Sequence, residues 1–598
     1  MTAAPDVSPA PRKPIRLWPG VAAVILQWLL RFVLPVFAPE ALEYSVLGGV
    51  VAGLAILIWW AFFSRAPWID RLGGIGLMVV AVALTPRVLD PSIATGMMGL
   101  MFFVYVTPIL SLAFVVSVVV SRRFPEALRR ATIAAAILLA CGAFALLRTN
   151  GMTGAAVSDF AWRWAPTAEE RLLVHASDKP LAALPPPVVA KAPVEPPVEP
   201  APATVVAKPV REPAPVIVRR ESDWPGFRGP HRDGVIPGVR IEADWAKSPP
   251  VQIWRRPIGP GWSSFAVSGD VLYTQEQRGN DEVVASYKLA TGEPVWAHRD
   301  AARFWESNAG AGPRATPTLS NGRVYTFGAT GIVNALDQAS GAVVWSRNAG
   351  TDTSTKIPGW GFASSPLVIG NEVVIAAGGR LIAYDLATGA PRWTGPDGGY
   401  GYSSPHLITI DGVAQILFQS SHGAASFTPG GTKLWEHSLP ATAAIVQPAV
   451  IADGDLLLAE GEGNGMRRIA VAHGVVEERW RSIGLKPYFS DFVVHKGFAY
   501  GFDGAILSCI NIDDGKKRWK GGRYGSGQLV LLPDQDLLLV LTEEGGLALA
   551  AAAPDQFTEI ARAPAIEGKT WNHPVLVGDV LLVRNGQEMA AFRLKRNL

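Results

Sequence analysis

At 598 residues the chain is too long for one ordinary domain, and 49% hydrophobic residues against 18% charged ones exceed what a wholly water-exposed protein carries. A formal net charge of +3 leaves no basic footprint for a nucleic-acid partner. Two cysteines, Cys141 and Cys509, exclude a disulfide framework and a cysteine-based metal site.

Residues 1–19 read as a cytoplasmic N-terminus and 20–148 as a transmembrane domain. Apolar runs at 20–38, 45–63, 99–120 and 131–147 each have about the 17–25 residues needed to cross a bilayer. A shorter run, 73–84 extended to 73–88, is the fifth span. Arg12, Lys13 and Arg16 precede the first run, Arg65 and Arg71 follow the second, and Arg122, Arg123, Arg129 and Arg130 follow the fourth. The other loops carry Glu40 and Glu43, then Arg87 balanced by Asp90. The positive-inside rule then predicts a cytoplasmic N-terminus and, after five spans, an external remainder: a bacterial inner-membrane protein with a periplasmic domain. The first run has no small-residue cleavage site and reads as an anchor. Gln27, Arg31 and Pro35 share one face of it. An intramembrane arginine either meets a neighbouring helix's backbone, snorkels to the interface, or faces a lipid or quinone headgroup.

Residues 149–179 form a juxtamembrane segment, in which "DFAWRWAPTAEERLL" (159–173) predicts a short amphipathic helix. The linker 180–220 follows; its first 36 residues hold twelve prolines, and an extended polyproline spacer of that length reaches on the order of 110 Å. Residues 221–250, with "DWPGFRGPHRDGV" (223–235), suit a strap packed on the domain that follows.

From 251 to 598 short β-branched runs alternate with Gly, Asn and Asp turns. Tryptophans recur at 254, 296, 345, 393, 435, 480 and 519, a spacing of 39–49 residues. Eight hairpins, from 263–274 to 572–585, share that spacing. A period near 40–50 with four strands per unit predicts an all-β, eight-bladed propeller. The last unit is one strand short, and "VQIWRR" (251–256) is a strand without partners. Placing the latter in the last blade closes the ring and removes an open edge.

The blade motif Ala-x-Asp-x-x-Thr-Gly-x-x-x-Trp, in "AYDLATGAPRW" (383–393) and "ALDQASGAVVW" (335–345), resembles the repeat of the pyrroloquinoline-quinone-like (PQQ-like) propeller family over residues 250–598. That family includes quinoprotein dehydrogenases as well as cofactor-free members such as the propeller subunit of the outer-membrane protein assembly machinery. Five spans followed by a propeller also resemble membrane-bound quinoprotein glucose dehydrogenases. The chain departs from the dehydrogenase pattern: it has no adjacent cysteines, no CxxCH haem motif and blades close to minimum length.

The resemblance implies that the segment leading into each innermost strand lies at one mouth of the central channel. Those segments hold Trp262, Arg314, Trp360, Phe362, Tyr400, Tyr402, Gln447, Tyr488, Phe489, Asp491, Tyr524, Gln528, Trp571, Asn572 and His573. Aromatic faces with one arginine and several amides suit a flat anionic ligand, with Arg314 on its carboxylate. PQQ with calcium requires hard oxygen ligands, for which Glu306, Asn308, Asp491 and Asn572 are the candidates. Asp491 would be the general base. The same aromatics equally form a hot spot for an envelope protein or polymer, or plug the channel. The expectation is a binding or scaffold module at the cell envelope. The alternative is a PQQ-dependent dehydrogenase that oxidises a sugar or alcohol and reduces membrane quinone.

Overall fold

The computed structural model describes residues 15–38, 41–154, 156–176, 224–440 and 442–597, so the linker 180–220 lies outside the described residues. The chain divides into two compact units. The first comprises Met1–Met152, Ala156–Thr167 and Glu306–Gly310; the second comprises Thr153–Ala155, Ala168–Trp305 and Ala311–Leu598.

In the first unit five helices are long and apolar enough to cross a membrane: Trp18–Phe37, Tyr44–Phe63, Trp68–Arg87, Met101–Arg123 and Glu126–Leu146. The third starts five residues before the predicted run because its first turn carries Asp70 and Arg71. Asp70 is buried and takes Arg129 and Arg130 at 2.6 Å each, which brings the charged turn into the bundle. The stripe on the first helix is built into the packing. Gln27 is buried and donates to Gly49 O at 2.8 Å. Arg31 sits in a π-helical turn, Leu29–Val33, with its guanidinium 5.4 Å from the Phe32 ring and 5.6 Å from that of Tyr105. Pro35 lacks an amide proton, and the chain accommodates it with an i−5 bond from Leu34 N to Leu29 O. The helix predicted over 159–173 is divided. Ser158–Trp162 pairs as a strand with Leu147–Met152, its Phe160 ring edge-on to Tyr105 at 5.0 Å, and helix begins only at Ala168, running to Ala176.

The second unit contains eight four-stranded antiparallel sheets. Blades 1 to 7 span residues 266–300, 318–348, 367–394, 406–438, 449–482, 493–523 and 528–564. Blade 8 consists of residues 575–593 closed by Val251–Pro257, which pairs from Val251 opposite Arg593 to Pro257 opposite Glu588 with a register shift between Gln252 and Trp254. Arg584 clamps the closure. It is buried, and it donates to Thr274 Oγ1, to Gln275 O at 2.9 Å and to Gly259 O at 3.2 Å, tying blade 8 to blade 1.

The repeated turn-and-tryptophan motif is an interlock between blades. Trp254 Nε1 donates to Leu289 O at 2.8 Å, Trp296 to Gln338 O at 3.1 Å, Trp345 to Leu386 O at 3.1 Å and Trp393 to Pro429 O at 2.9 Å. Trp480 and Trp519 reach Ile512 O and Ala553 O, both at 2.8 Å. Each acceptor lies in the outer turn of the next blade. The glycine of that turn has no alternative: Gly341 has φ +73°, and a Cβ there would stand 2.5 Å from the Trp296 ring. Gly292, Gly389, Gly431 and Gly515 stand in the same way against Trp254, Trp345, Trp393 and Trp480. Blade 5 substitutes a two-residue His473–Gly474 turn, and Trp435 donates within its own blade, to Gln415 Oε1 at 2.9 Å.

The strap crosses one end of the channel. Trp224 pairs antiparallel with Val267 of blade 1, Pro225 O accepts from Leu319 N of blade 2 at 2.7 Å, and Val235 pairs parallel with Leu531 of blade 7. Arg232 donates to Ser365 O at 3.0 Å and Pro366 O at 2.8 Å ahead of blade 3. The His406 ring of blade 4 meets His231 O at 3.1 Å, and Arg228 donates to Phe492 O of blade 6 at 2.6 Å. Six of the eight innermost strands are thus tied by one segment. Both arginines are buried, and burial pulls Arg232 down to about 9, helped by Arg228. Burial, followed by the charge of Arg232 and Arg228, depresses His406 to about 4, and burial with Arg228 depresses His573 to about 3, so both imidazoles are neutral.

Candidate functional site

The aromatic residues that precede the innermost strands gather at one mouth of the channel. Ring centroids of Trp262 and Trp571 are 4.9 Å apart, those of Trp571 and Phe489 4.6 Å, and those of Phe489 and Tyr488 5.3 Å. The circuit continues from Tyr488 to Trp360 at 6.3 Å and from Trp360 to Tyr402 at 5.1 Å. Tyr488 leads into blade 6 and Trp360 into blade 3, so their contact crosses the channel axis. Six aromatic side chains therefore roof the mouth, and Tyr488 keeps 36% of its surface exposed. Six of the predicted mouth residues, Trp262, Trp360, Tyr402, Tyr488, Phe489 and Trp571, are brought together here.

The polar candidates are engaged elsewhere. Arg314 Nε donates to Trp360 O at 3.0 Å, another of its nitrogens donates to Gly312 O, and the guanidinium lies 4.7 Å from the Phe304 ring. It positions the Trp360 loop rather than presenting its charge to the mouth. Asn572 is buried and donates to Gly261 O and Ser263 O at 3.2 and 2.7 Å. Glu306 accepts the amides of Asn308 and Ala309 at 2.7 and 2.6 Å, and this segment, Glu306–Gly310, groups with the first compact unit. Phe362 is buried against Phe327, and Tyr524 donates to Glu559 Oε2 at 2.7 Å within the propeller wall.

Asp491 and Gln447 belong to a feature that motif reading missed. Ser264, Thr316, Ser365, Ser404, Gln447, Asp491, Gln528 and His573 hold one equivalent position, at the head of the eight innermost strands, and all are buried. Five of the eight amides donate to the side chain of the next blade. Ser264 N donates to Thr316 Oγ1 at 3.0 Å, Thr316 N to Ser365 Oγ at 3.0 Å, and Ser365 N to Ser404 Oγ at 2.9 Å. Gln447 N donates to the Asp491 carboxylate, and Asp491 N to Gln528 Oε1 at 3.1 Å. Ser264 Oγ joins the two ends by donating to His573 O at 2.5 Å. The result is a belt of side-chain-to-backbone hydrogen bonds around the channel wall. Asp491 also lies 3.5 Å from Arg228 of the strap, and burial raises its pKa in spite of that charge. Its carboxylate is a structural member of the belt, not a base open to a substrate in the mouth. Aligning the dipeptides "SS", "AT", "SS", "SS", "VQ", "SD", "GQ" and "NH" ahead of the innermost strands is the signal that finds the belt.

Two residues not predicted complete the mouth. Lys569 Nζ lies 5.2 Å from the Trp262 ring and 4.5 Å from that of Trp571. Trp571 Nε1 donates to Glu543 Oε1 at 2.7 Å.

Residues 280–521 match the family model PQQ_2, described as outer membrane protein assembly factor BamB. The outer membrane protein assembly factor BamB of Yersinia pestis is 24% identical over 354 residues, covering 55% of this chain and 76% of that protein. Its namesake in Shewanella oneidensis is 27% identical over 140 residues, 23% of this chain and 32% of that one. Among solved structures, a europium-containing methanol dehydrogenase superposes with a TM-score of 0.50 at 10% identity, over 63% of this chain and 99% of that one. That likeness shows the fold alone. With its eight blades, turn glycines and interlocking tryptophans, the C-terminal part of the chain is an eight-bladed propeller, and residues 280–521 of it are similar to the PQQ-like repeat family.

Proposed function

We propose that the chain is a binding and scaffold module of the cell envelope: an inner-membrane anchor bearing a periplasmic propeller whose aromatic mouth docks a protein partner. One observation carries this reading. The mouth offers clustered, partly exposed aromatic faces, while the polar side chains around it are occupied in holding the propeller together. Clustered aromatics at the centre of a surface are the composition of a protein-binding hot spot. The similarity to an assembly factor supports the same direction. The arginine-rich loops Arg65–Arg71 and Arg122–Arg130 support the orientation. The test places a photo-crosslinking amino acid at position 488 of the full chain in its host membrane. A discrete protein adduct that disappears in Trp360→Ala is expected; no adduct, or one that survives that change, refutes docking at the mouth.

The second reading is a dehydrogenase using PQQ and calcium. The residues present do not fit that group. Calcium takes about six to eight oxygens, and of the four candidate ligands only Asn572 Oδ1 is buried without a hydrogen-bond partner among the described residues. Among the described residues no cluster of three His, Cys, Asp or Glu could hold a metal. Titration of the full chain with PQQ and calcium is expected to give no stoichiometric binding; saturable calcium-dependent binding with dye reduction would replace the scaffold reading.

A further inference from the structure

In the first unit, the third apolar helix carries two neighbouring glycines with different surroundings. Gly74 faces inward: a Cβ there would stand 3.1 Å from Nε1 of the buried Trp60, so the glycine lets that indole pack against the helix. Gly73 faces away from the bundle, and no side chain or neighbouring helix lies within 4 Å of where its Cβ would stand. A glycine inside a helix is destabilising relative to alanine, and at position 73 no packing among the described residues offsets that. The missing side chain opens a cleft of about 230 Å³ between the third and fifth helices, walled by Ile69, Leu77, Ile133 and Ala134, with Asp70 and Arg130 at the end where both helices start. Arg130 gives Nε to Asp70 Oδ1 at 2.6 Å and Nη2 to Glu126 Oε2 at 3.4 Å. Its Nη1 has no hydrogen bond among the described residues, and its side chain is 47% exposed. Asp70 thus fixes the guanidinium beside the cleft and leaves a donor facing outward. The two loops at this end, 64–71 and 121–130, hold six arginines against two carboxylates, Asp70 and Glu126.

We propose that this cleft is a site for an anionic phospholipid: an acyl chain lies along Gly73, Leu77 and Ile133, and Arg130 donates to the phosphate. The inference rests on the first unit lying in a membrane, as the reading above has it, and goes beyond that reading by naming the lipid the anchor selects. A zwitterionic lipid fills the groove equally well, but its ammonium group cancels the charge of its phosphate. The excess of arginines at this end therefore selects a lipid of net negative charge. In the orientation proposed above, this end faces the cytoplasmic leaflet, whose anionic headgroups give it a negative surface potential.

The experiment purifies the full chain in maltoside micelles, adds dioleoyl phosphatidylglycerol and dioleoyl phosphatidylcholine in equal amounts, and identifies the lipid retained by native mass spectrometry. Retention of a single phosphatidylglycerol, in roughly fivefold preference to phosphatidylcholine, is expected, the factor that one arginine contributes near an anionic lipid. Arg130→Gln is expected to remove the preference, whereas Arg122→Gln, at the same end but outside the cleft lining, keeps it. Gly73→Leu fills the cleft from a position with room for the side chain, and is expected to lose the retained lipid without a lower melting temperature. Excess glycerol phosphate, a headgroup without chains, is expected not to displace the lipid. Equal retention of the two lipids, a preference that survives Gly73→Leu, equal effects of Arg130→Gln and Arg122→Gln, or displacement by glycerol phosphate overturns the proposal. Carbonate extraction of host membranes separates the site from the anchor itself. A chain that stays with the membrane but shows no lipid preference leaves the anchor standing and removes the site; a chain released by carbonate removes both.

Discussion

Gly341→Ala tests whether the repeated turn glycine is there for the tryptophan of the preceding blade or only for its backbone angle. Gly322 in the same blade provides the control: it has φ +70° and nothing within 4 Å of where a Cβ would stand, whereas at Gly341, φ +73°, the new carbon would meet the Trp296 ring at 2.5 Å. Gly322→Ala therefore bears only the left-handed backbone cost of about 1 kcal/mol. Gly341→Ala bears the same cost, and the buried indole must also withdraw by about 1 Å to reach ordinary contact. That movement stretches the bond from Trp296 Nε1 to Gln338 O, now 3.1 Å, worth about 1 kcal/mol, and opens packing worth about as much again. The expected losses are about 1 kcal/mol for Gly322→Ala and 3 kcal/mol for Gly341→Ala. Urea unfolding of the full chain in micelles, followed by the far-ultraviolet signal of the sheets, measures both. Equal losses would refute the interlock, and so would a Gly341→Ala penalty that stays at about 3 kcal/mol in a Trp296→Leu background, where the ring is gone and only the backbone cost of about 1 kcal/mol should remain.

Arg584→Met removes the donor that ties blade 8 to Thr274, Gln275 and Gly259. It leaves buried carbonyls unpaired, at about 3 kcal/mol. Limited proteolysis is expected to cut first near residues 251–262, and a digestion pattern like that of the unaltered chain would show that closure does not depend on this side chain. Burial pushes the Glu282 carboxyl up to about 7, although Thr330 and the Ala329 amide donate to it; Asp300 and Arg314 are the other charges felt there. The folded state holds the Glu282 proton more tightly than the unfolded chain, so this contribution is full below about pH 4.5 and is lost as pH rises through about 7. Between pH 5 and 8 the unaltered propeller should lose about 2–3 kcal/mol relative to Glu282→Gln, which keeps an acceptor and has no charge to bury. Parallel unfolding curves at the two pH values would contradict this.

The blades were legible because their signal is repeated: a strand, a glycine turn and a tryptophan at a spacing of 39–49 residues identify the ring and even its closing strand. The belt was harder to read because its eight positions carry Ser, Thr, Gln, Asp and His, which perform one task with different letters. A polar residue beside a channel reads as a ligand group until its partners are known. Thus Asp491 and Gln447 suggested chemistry, although their hydrogen bonds run along the wall to the neighbouring blades. Glu543 and Lys569 carry no motif, and only the approach of their loops to Trp571 gives them meaning. In the first unit, Asp70 and Arg71 interrupted the apolar run, and the arginines that neutralise Asp70 lie 59 and 60 residues away, beyond the reach of a local window.

The strand Val251–Pro257 pairs with Glu588–Arg593, and that arrangement imposes an order in time. The first strand of the ring to leave the ribosome has its partner about 340 residues later, and at about 5–20 residues per second the wait is roughly 17 to 70 seconds. Through that interval blades 1 to 7 can form pairwise, each tryptophan finding the turn of the blade made after it, while Val251–Pro257 keeps an unpaired edge. The strap comes out immediately before this strand, and its partners lie in blades 1 to 4, 6 and 7. It can gather those blades in turn as they appear, holding the waiting edge beside the growing ring until the last strand arrives.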